Sequence, residues 1–394
     1  CAVFTEVVNA VRKAVQEAGV DIVLNLTTSG GPATDEQRLE HLVALEPEMC
    51  SYDVGTFNWG NAFIFENTPH LLEILGQCVV EHQIKPEIEI FDGGMIGNAK
   101  HYIKEGYIQG NPHFQFVLGV HGMAKAQPQV LTQLHSMLPA GSTWSALGVG
   151  AGNTPAIIDD SADLVLTVNS IIHSKTFDNG MICASEQAVI VQKEIARDFE
   201  AFMKLNNCYF LNKEETEQLT KYMFPDPEKG VFAPVVGRSA NWIAEQAGLT
   251  VPEKTKILIA PLDKPSDEHP LSKEKLSPVL AYFVCRDKEQ GFEYANKMLE
   301  LGGLGHSAVI HTGDMKIADE YGVAMRVGRI IVNSPSSQGA IGDIYNTNTP
   351  SLTLGCGSYG KNSVSQNVTT VNLINKKRIA KRRVNMQWFK VPPR

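Results

Sequence analysis

No run of apolar residues in this chain approaches the roughly 20 that a membrane span requires. Nor is there an excess of positive charge: 35 Lys and Arg stand against 43 Asp and Glu, a net charge of −8. That balance argues against nucleic acid or an anionic membrane as the main partner. The seven cysteines (Cys1, Cys50, Cys78, Cys183, Cys208, Cys285 and Cys356) are scattered, odd in number and contain no Cys-x-x-Cys pair. Their pattern excludes a clustered-cysteine zinc site and points to a reducing, cytoplasmic setting. A dinucleotide fingerprint is also missing. In Gly148-Val149-Gly150-Ala151-Gly152, the third glycine of G-x-G-x-x-G would fall on Ala151 or Asn153. The chain opens on Cys1-Ala2-Val3-Phe4, without Met or a basic and apolar leader, and reads as the interior of a longer open reading frame.

What is present is an ordinary globular composition, 43% hydrophobic and 20% charged over 394 residues, with room for two or three domains. Residues 3–18, 35–44, 69–82, 96–107 and 127–138 carry helical patterns. Between them, 21–27, 48–54, 87–92, 113–120 and 142–149 read as strands. Five such βα steps predict a parallel sheet, with Gly, Thr, Asp and Glu at the strand ends where barrel chemistry sits.

A second region centres on residues 176–187. Asp178-Asn179-Gly180 is turn chemistry tolerant of positive φ. Upstream, Asp160 or Ser161 caps a helix whose apolar positions are Leu164, Val168, Ile171 and Ile172. Downstream, residues 188–192 form a buried strand. Cys183 thus lies in a loop held by apolar segments on both sides, a placement that suits a nucleophilic thiol or a small buried hydrophobe.

The wording Ser174-Lys175-Thr176-Phe177-Asp178-Asn179-Gly180-Met181-Ile182-Cys183-Ala184-Ser185-Glu186-Gln187 resembles the nucleophile segment of CoA-acylating aldehyde dehydrogenases. It is closest to the aldehyde dehydrogenase half of bifunctional aldehyde-alcohol dehydrogenases. The likeness continues through Gly152-Asn153-Thr154-Pro155, Glu274-Lys275-Leu276-Ser277-Pro278, Gly303-Leu304-Gly305-His306 and Asn333-Ser334-Pro335-Ser336-Ser337-Gln338-Gly339. It implies NAD as cofactor, CoA as co-substrate, a small aldehyde as substrate and a homo-oligomer. Cys183 would be the nucleophile, with its backbone N–H in the oxyanion hole. Glu274 would hold the nicotinamide-side ribose, or else be a solvated loop charge. His306 would be an acid or base, a CoA contact, or a packing residue. Where hydrolytic aldehyde dehydrogenases carry a general-base Glu, this chain has Val149, which cannot activate water. The acyl group is therefore expected to pass to the CoA thiol. The basic run Lys376-Lys377-Arg378 to Lys381-Arg382-Arg383 reads as solvated surface.

The first region resembles another family. Asn25-Leu26-Thr27-Thr28-Ser29-Gly30-Gly31, Tyr52-Asp53-Val54-Gly55-Thr56-Phe57-Asn58 and Pro86-Glu87-Ile88-Glu89-Ile90-Phe91-Asp92 are similar to segments of β-keto acid cleavage enzymes. Those are zinc-dependent (β/α)₈ barrels acting on 3-keto acids with acetyl-CoA. The resemblance implies substrate contacts at Ser29 and Thr56 and an active-site carboxylate at Glu89. The alternative is that all three are strand-end polar groups satisfied by loop backbone. That alternative is favoured because the family's zinc-binding His-x-His occurs nowhere in the chain, so zinc is not expected. Five strands are too few to close a barrel of eight, and an open piece leaves two edges. The expected fold is α/β in two incomplete modules. Residues 1–147 are a partial (β/α) barrel, and residues 148–394 are the catalytic half of an aldehyde dehydrogenase with part of its cofactor domain. The expected activity is CoA-acylating aldehyde oxidation, impaired by the short nucleotide-binding region. The alternatives are a keto acid cleavage fragment and a non-catalytic fusion.

Overall fold

The structure is a computed structural model that describes residues 2–19, 22–29, 33–59, 63–120, 122–148, 152–226, 230–373 and 379–381. Val149, at the join, and most of the basic run therefore lie outside the described residues, as does Gly30 beside Ser29. The first unit runs α1 (Ala2–Ala18), β1 (Asn25–Leu26), α2 (Glu40–Leu45), β2 (Met49–Asp53), β3 (Phe57–Trp59), β4 (Phe63–Phe65), α3 (Pro69–Glu81), β5 (Lys85–Ile90), α4 (Gly93–Lys104), β6 (His113–Leu118), α5 (Pro128–Ser136) and β7 (Thr143–Gly148). Its five-stranded sheet has the order β1-β2-β5-β6-β7, parallel throughout and in chain order, with β3 and β4 set aside as an antiparallel pair. The sheet is open, ending at β1 and β7.

Local chemistry sets the helix starts. Thr68 accepts a hydrogen bond from the Leu71 N–H ahead of Pro69, and Asp92 accepts from Gly94 and Met95 at the head of α4. Strand alternation then divides the sheet into two faces. Cys50, Tyr52, Ile88, Ile90, Phe114 and Phe116 are buried in one continuous apolar core. In register on neighbouring strands, Ser51, Asp53, Glu87, Glu89, His113 and Gln115 supply the polar positions between them.

The second unit continues with β8 (Thr154–Ile158), α6 (Leu164–Thr176), β9 (Glu186–Gln192), α7 (Lys193–Leu205), β10 (Cys208–Phe210), α8 (Lys213–Met223), α9 (Ala240–Gln246), β11 (Ile257–Pro261), β12 (Val279–Cys285), α10 (Lys288–Leu301), β13 (Gly305–His311), α11 (Met315–Ala324), β14 (Val327–Val332), α12 (Ser336–Ile341) and α13 (Thr370–Leu373). Its seven strands are parallel in the order β10-β11-β12-β9-β8-β13-β14. Every residue of β8, β9 and β13 is buried, as expected of strands covered on both faces by helices. Separate apolar clusters form on the two faces, one around Val189, Val191 and Phe199 and the other around Ile190, Phe283 and Met298. Among the described residues, no helix is long and apolar enough to cross a membrane.

Several boundaries differ from the sequence reading. The first strand is only Asn25–Leu26. The β3–β4 pair was not expected; its aromatics Phe57 and Phe65 stack at 5.1 Å, and Phe57 stacks on Phe91 at 4.2 Å. The cap of α6 is Asp163, which accepts from the Leu166 N–H, rather than Asp160 or Ser161. Ser161 is instead engaged by the Asp159 carboxylate, and the Asp160 N–H donates to the Gln192 side chain.

Asp53 and Glu89 face each other across β2 and β5. Burial, and then the Asp53 carboxylate, push Glu89 up to about 9, and burial pushes Asp53 up to about 6. Around neutral pH the pair holds one proton between them. An unfolded Glu titrates near 4.3, so the folded state binds the extra proton and its stabilisation is lost as pH rises toward 9. The protection of β5 amides, corrected for intrinsic exchange, should fall between pH 5 and about 9. Glu89→Gln, which keeps a donor to Asp53, should flatten that fall. An unchanged slope would mean the pair does not share a proton.

Candidate functional site

The Cys183 loop begins where α6 ends. Thr176 Oγ1 donates back to the Ile172 carbonyl, 2.7 Å away, and a short 3₁₀ turn follows over Phe177–Gly180. Asp178, Asn179 and Gly180 have φ of 48°, 47° and 71°, the left-handed turn anticipated from their residue types. Asn179 Nδ2 ties the turn to the Gly237 carbonyl. Gly180 has no room for a side chain, since a Cβ would lie 2.7 Å from the Ser277 oxygen. Cys183 emerges half-buried, whereas the other described cysteines are buried. His306, at the start of β13, brings its Nε2 to 3.2 Å from the Cys183 sulfur. Two residues 123 positions apart in sequence are thereby joined.

Burial pushes the Cys183 thiol up to about 11, and the Glu274 carboxylate adds to the rise; Arg329 and the cysteine's own backbone N–H oppose it. His306 is held down to about 4 by burial and then by Arg329, so its ring is neutral at pH 7. Glu274 is no solvated loop charge. Its Oε1 is enclosed and has no hydrogen-bond partner, and burial raises the carboxyl to about 8. Gly152 brings these parts into contact: a Cβ there would lie 2.2 Å from the Cys183 carbonyl oxygen and 3.0 Å from Glu274 Oε1. The arrangement presents a thiol, a neutral imidazole and an acceptor carboxyl around one point.

Sequence reasoning passed over Lys175, Glu186, Asn153, Lys275 and Arg329, all of them buried. Lys175 and Glu186 are completely enclosed, one at each end of the loop. Glu186 Oε1 accepts from the Ser336 N–H, whereas Glu186 Oε2 and Lys175 Nζ have no hydrogen-bond partner. Burial lowers Lys175 to about 7, with Glu186 and Glu274 pulling the other way. Asn153 Nδ2 donates to the Ser272 and Met298 carbonyls. Lys275 Nζ donates to the Leu271 and Lys273 carbonyls, while its N–H reaches Gln187. The signal for Lys175 was available: it continues the apolar spacing of Val168, Ile171 and Ile172, where a charge must find company. In the first unit, Thr56 Oγ1 accepts from the Asn67 N–H, as the backbone-satisfied reading expects. The Ser29 N–H is held by Thr27 Oγ1 in an exposed turn. Glu89 faces Asp53 rather than loop backbone. Among the described residues, no group of His, Cys, Asp or Glu is arranged to hold a metal ion.

Burial moves Lys175 down and Glu186 up, each to about 7, while each favours the other's charged form. Lys175→Met removes the cation that opposes the buried Glu186 carboxylate and should lower the denaturant midpoint of the second unit. Combined with Glu186→Gln, it should recover part of the loss. Additive losses in urea denaturation at pH 7 would show that the two groups do not compensate each other.

The family model for beta-keto acid cleavage enzymes matches residues 2–163, and that for the aldehyde dehydrogenase family matches residues 141–209. An aldehyde-alcohol dehydrogenase of Streptococcus pneumoniae is 50% identical over 254 residues, 63% of this chain and 29% of that protein. The chain thus spans less than a third of the length of the aldehyde-alcohol dehydrogenases it matches. An acetylating aldehyde dehydrogenase of Geobacillus thermoglucosidasius superposes with a TM-score of 0.64 at 32% identity, covering 80% of this chain and 72% of that one. A probable aldehyde dehydrogenase of Listeria monocytogenes superposes with a TM-score of 0.63 at 30% identity, with the same coverage of 80% and 72%. Identity of this order over most of a solved enzyme, in a chain whose Cys183 and His306 meet at one loop, shows that the protein belongs to the acetylating aldehyde dehydrogenases.

Proposed function

We propose that residues 148–394 carry the chemistry of CoA-dependent aldehyde oxidation, converting a small aldehyde to its acyl-CoA. The observation that carries this reading is the 3.2 Å contact between His306 Nε2 and the Cys183 sulfur. Cys183 adds to the aldehyde carbon through sulfur, and its backbone N–H, which lies against the thiol, faces the developing oxyanion. His306, neutral and enclosed, meets the reacting sulfur centre through Nε2 and hydrogen-bonds to it. Glu274 fits the ribose end of a nicotinamide cofactor, because its carboxyl lies beside Gly152 and Cys183 with acceptor capacity for vicinal hydroxyls. When bound, NAD supplies the hydride acceptor, and CoA is the thiol substrate that takes the acyl group. Val149, in place of a general-base Glu, supports transfer to a thiol rather than to water. The setting would be cytoplasmic, with self-association through the second unit.

Residues 1–147 are proposed to be a piece of a β-keto acid cleavage barrel, on the family match and the chain-order parallel strands. That assignment sets the expected rate. The residues before Gly152 build the β1–β7 sheet, so the cofactor is poorly positioned, and misplacement of reacting groups is costly. Intact-mass analysis after incubation with an acyl donor should show an adduct on Cys183 that is lost in Cys183→Ala. NADH formation from acetaldehyde, CoA and NAD should be feeble. An adduct on another cysteine would overturn the site assignment. Robust turnover lost in Cys183→Ala would overturn the expected impairment.

A second reading rests on the Asp53–Glu89 pair in the first unit: a retained keto acid cleavage activity. Without a His-x-His, the purified protein should carry no stoichiometric zinc and leave 3-keto acids intact. One tightly held zinc per chain in metal analysis would restore this reading.

A further inference from the structure

Arg329 is an enclosed guanidinium with no acidic partner among the described residues. It sits on β14 directly opposite Ser307 of β13 and is only 7% exposed. Its Nη1 donates to the His306 carbonyl at 2.9 Å and to Ser307 Oγ at 3.3 Å. Its Nη2 donates to the Gly355 carbonyl at 2.6 Å and to the Ser365 carbonyl at 3.3 Å. These acceptors are all neutral, and among the described residues the groups that act on Arg329 electrostatically are the thiols Cys356 and Cys183. A buried cation normally finds a carboxylate, because losing hydration is costly. Here the groups placed to carry an opposing charge, once ionised, are the thiols.

The hydrogen bonds form a directed chain. Ser307 Oγ accepts from Arg329 and lies 3.1 Å from His306 Nδ1. With one lone pair taken by the guanidinium, the Ser307 hydroxyl is set to donate its hydrogen to Nδ1. Nδ1 is then the acceptor nitrogen of the neutral ring and the proton sits on Nε2, the nitrogen 3.2 Å from the Cys183 sulfur. A proton there donates to a thiolate and favours the charged form.

Resting on the aldehyde dehydrogenase reading, we propose that Arg329 is a positioning residue for the Cys183 reaction. It fixes His306, through Ser307, as an Nε2–H donor toward sulfur and supplies the positive charge that favours the thiolate. The titratable and charged groups around the sulfur are Glu274 and Cys356, which oppose the thiolate, and His306 and Arg329. Arg329 is thus the cation set against Glu274.

The test needs no turnover, so it stands apart from the fate of the catalytic reading, which NADH formation and adduct mapping decide. The pH profile of Cys183 alkylation by iodoacetamide is measured by peptide mapping, and the His306 tautomer is read from ¹⁵N shifts of histidine-labelled protein. In Arg329→Met the alkylation midpoint should rise by about one pH unit, near a tenfold slower reaction at pH 8, with mixed tautomers. Arg329→Lys keeps the charge and should retain most of the midpoint. Ser307→Ala keeps the charge but breaks the relay, so it should lose the Nε2–H tautomer with a smaller change in midpoint. A folded Arg329→Met protein with wild-type profile and tautomer would overturn the proposal. Should that variant fail to fold, Ser307→Ala decides: an unchanged Nε2–H signal there overturns the relay. An Arg329→Lys midpoint that rises by the full unit overturns the role of charge.

Discussion

The loop that carries Cys183 hangs between two ionisable side chains with no access to water. Lys175 lies in the last turn of α6 and Glu186 opens β9, both fully enclosed. Neither is cheap to bury as a charge, and each favours the charged form of the other. Between them the helix ends and the strand starts. The ten residues 176–185 are left to turn between those points. The left-handed run at Asp178, Asn179 and Gly180 is how the chain makes that turn. Gly152 then has to lie against the Cys183 carbonyl, since no side chain fits there. The thiol is held in place by backbone contact and buried charge, which leaves its outer side for a reacting molecule.

The two sheets show what parallel strands require. In the second unit every position of β8, β9 and β13 is covered, with an apolar cluster on each face. The first unit has the same strand direction but one polar face, with Asp53 and Glu89 neighbouring across β2 and β5. In a closed barrel that face would be the lumen. In an open five-stranded sheet it is a set of carboxyls, Asp53 buried and Glu87 and Glu89 partly so, and the proton shared by Asp53 and Glu89 makes the unit sensitive to alkaline pH. The unit folds on its apolar side, through Tyr52, Ile88, Phe114 and Phe116.

Much of this was legible in the chain. Strand positions around 48–54, 87–92, 113–120 and 142–149 followed from residue type and from the turn residues between them. Cys183 and the turn before it followed from residue type. His306 was in view, but its contact with Cys183 was not, because pairing across 123 positions depends on the β8-β13-β14 adjacency, which no local pattern encodes. The β3–β4 pair escaped because three-residue strands are too short to establish a period. Lys175, Glu186 and Arg329 escaped for a different reason. Charged residues are read as solvated by default, and each here is buried by neighbours remote in sequence.

That default fails most where the chemistry is concentrated. A thiol pushed up to about 11 is a poor nucleophile at neutral pH unless something favours its ionised form. Glu274 cannot do so: raised to about 8, it is mostly protonated at neutral pH, and once ionised its charge works the other way. His306 can donate a hydrogen bond but, held near 4, carries no charge of its own. The cation has to come from elsewhere, and β14 brings it in beside β13 through the Ser307–Arg329 register. The sheet order that puts β14 at that edge is therefore part of the electrostatics of the cysteine as well as of the fold.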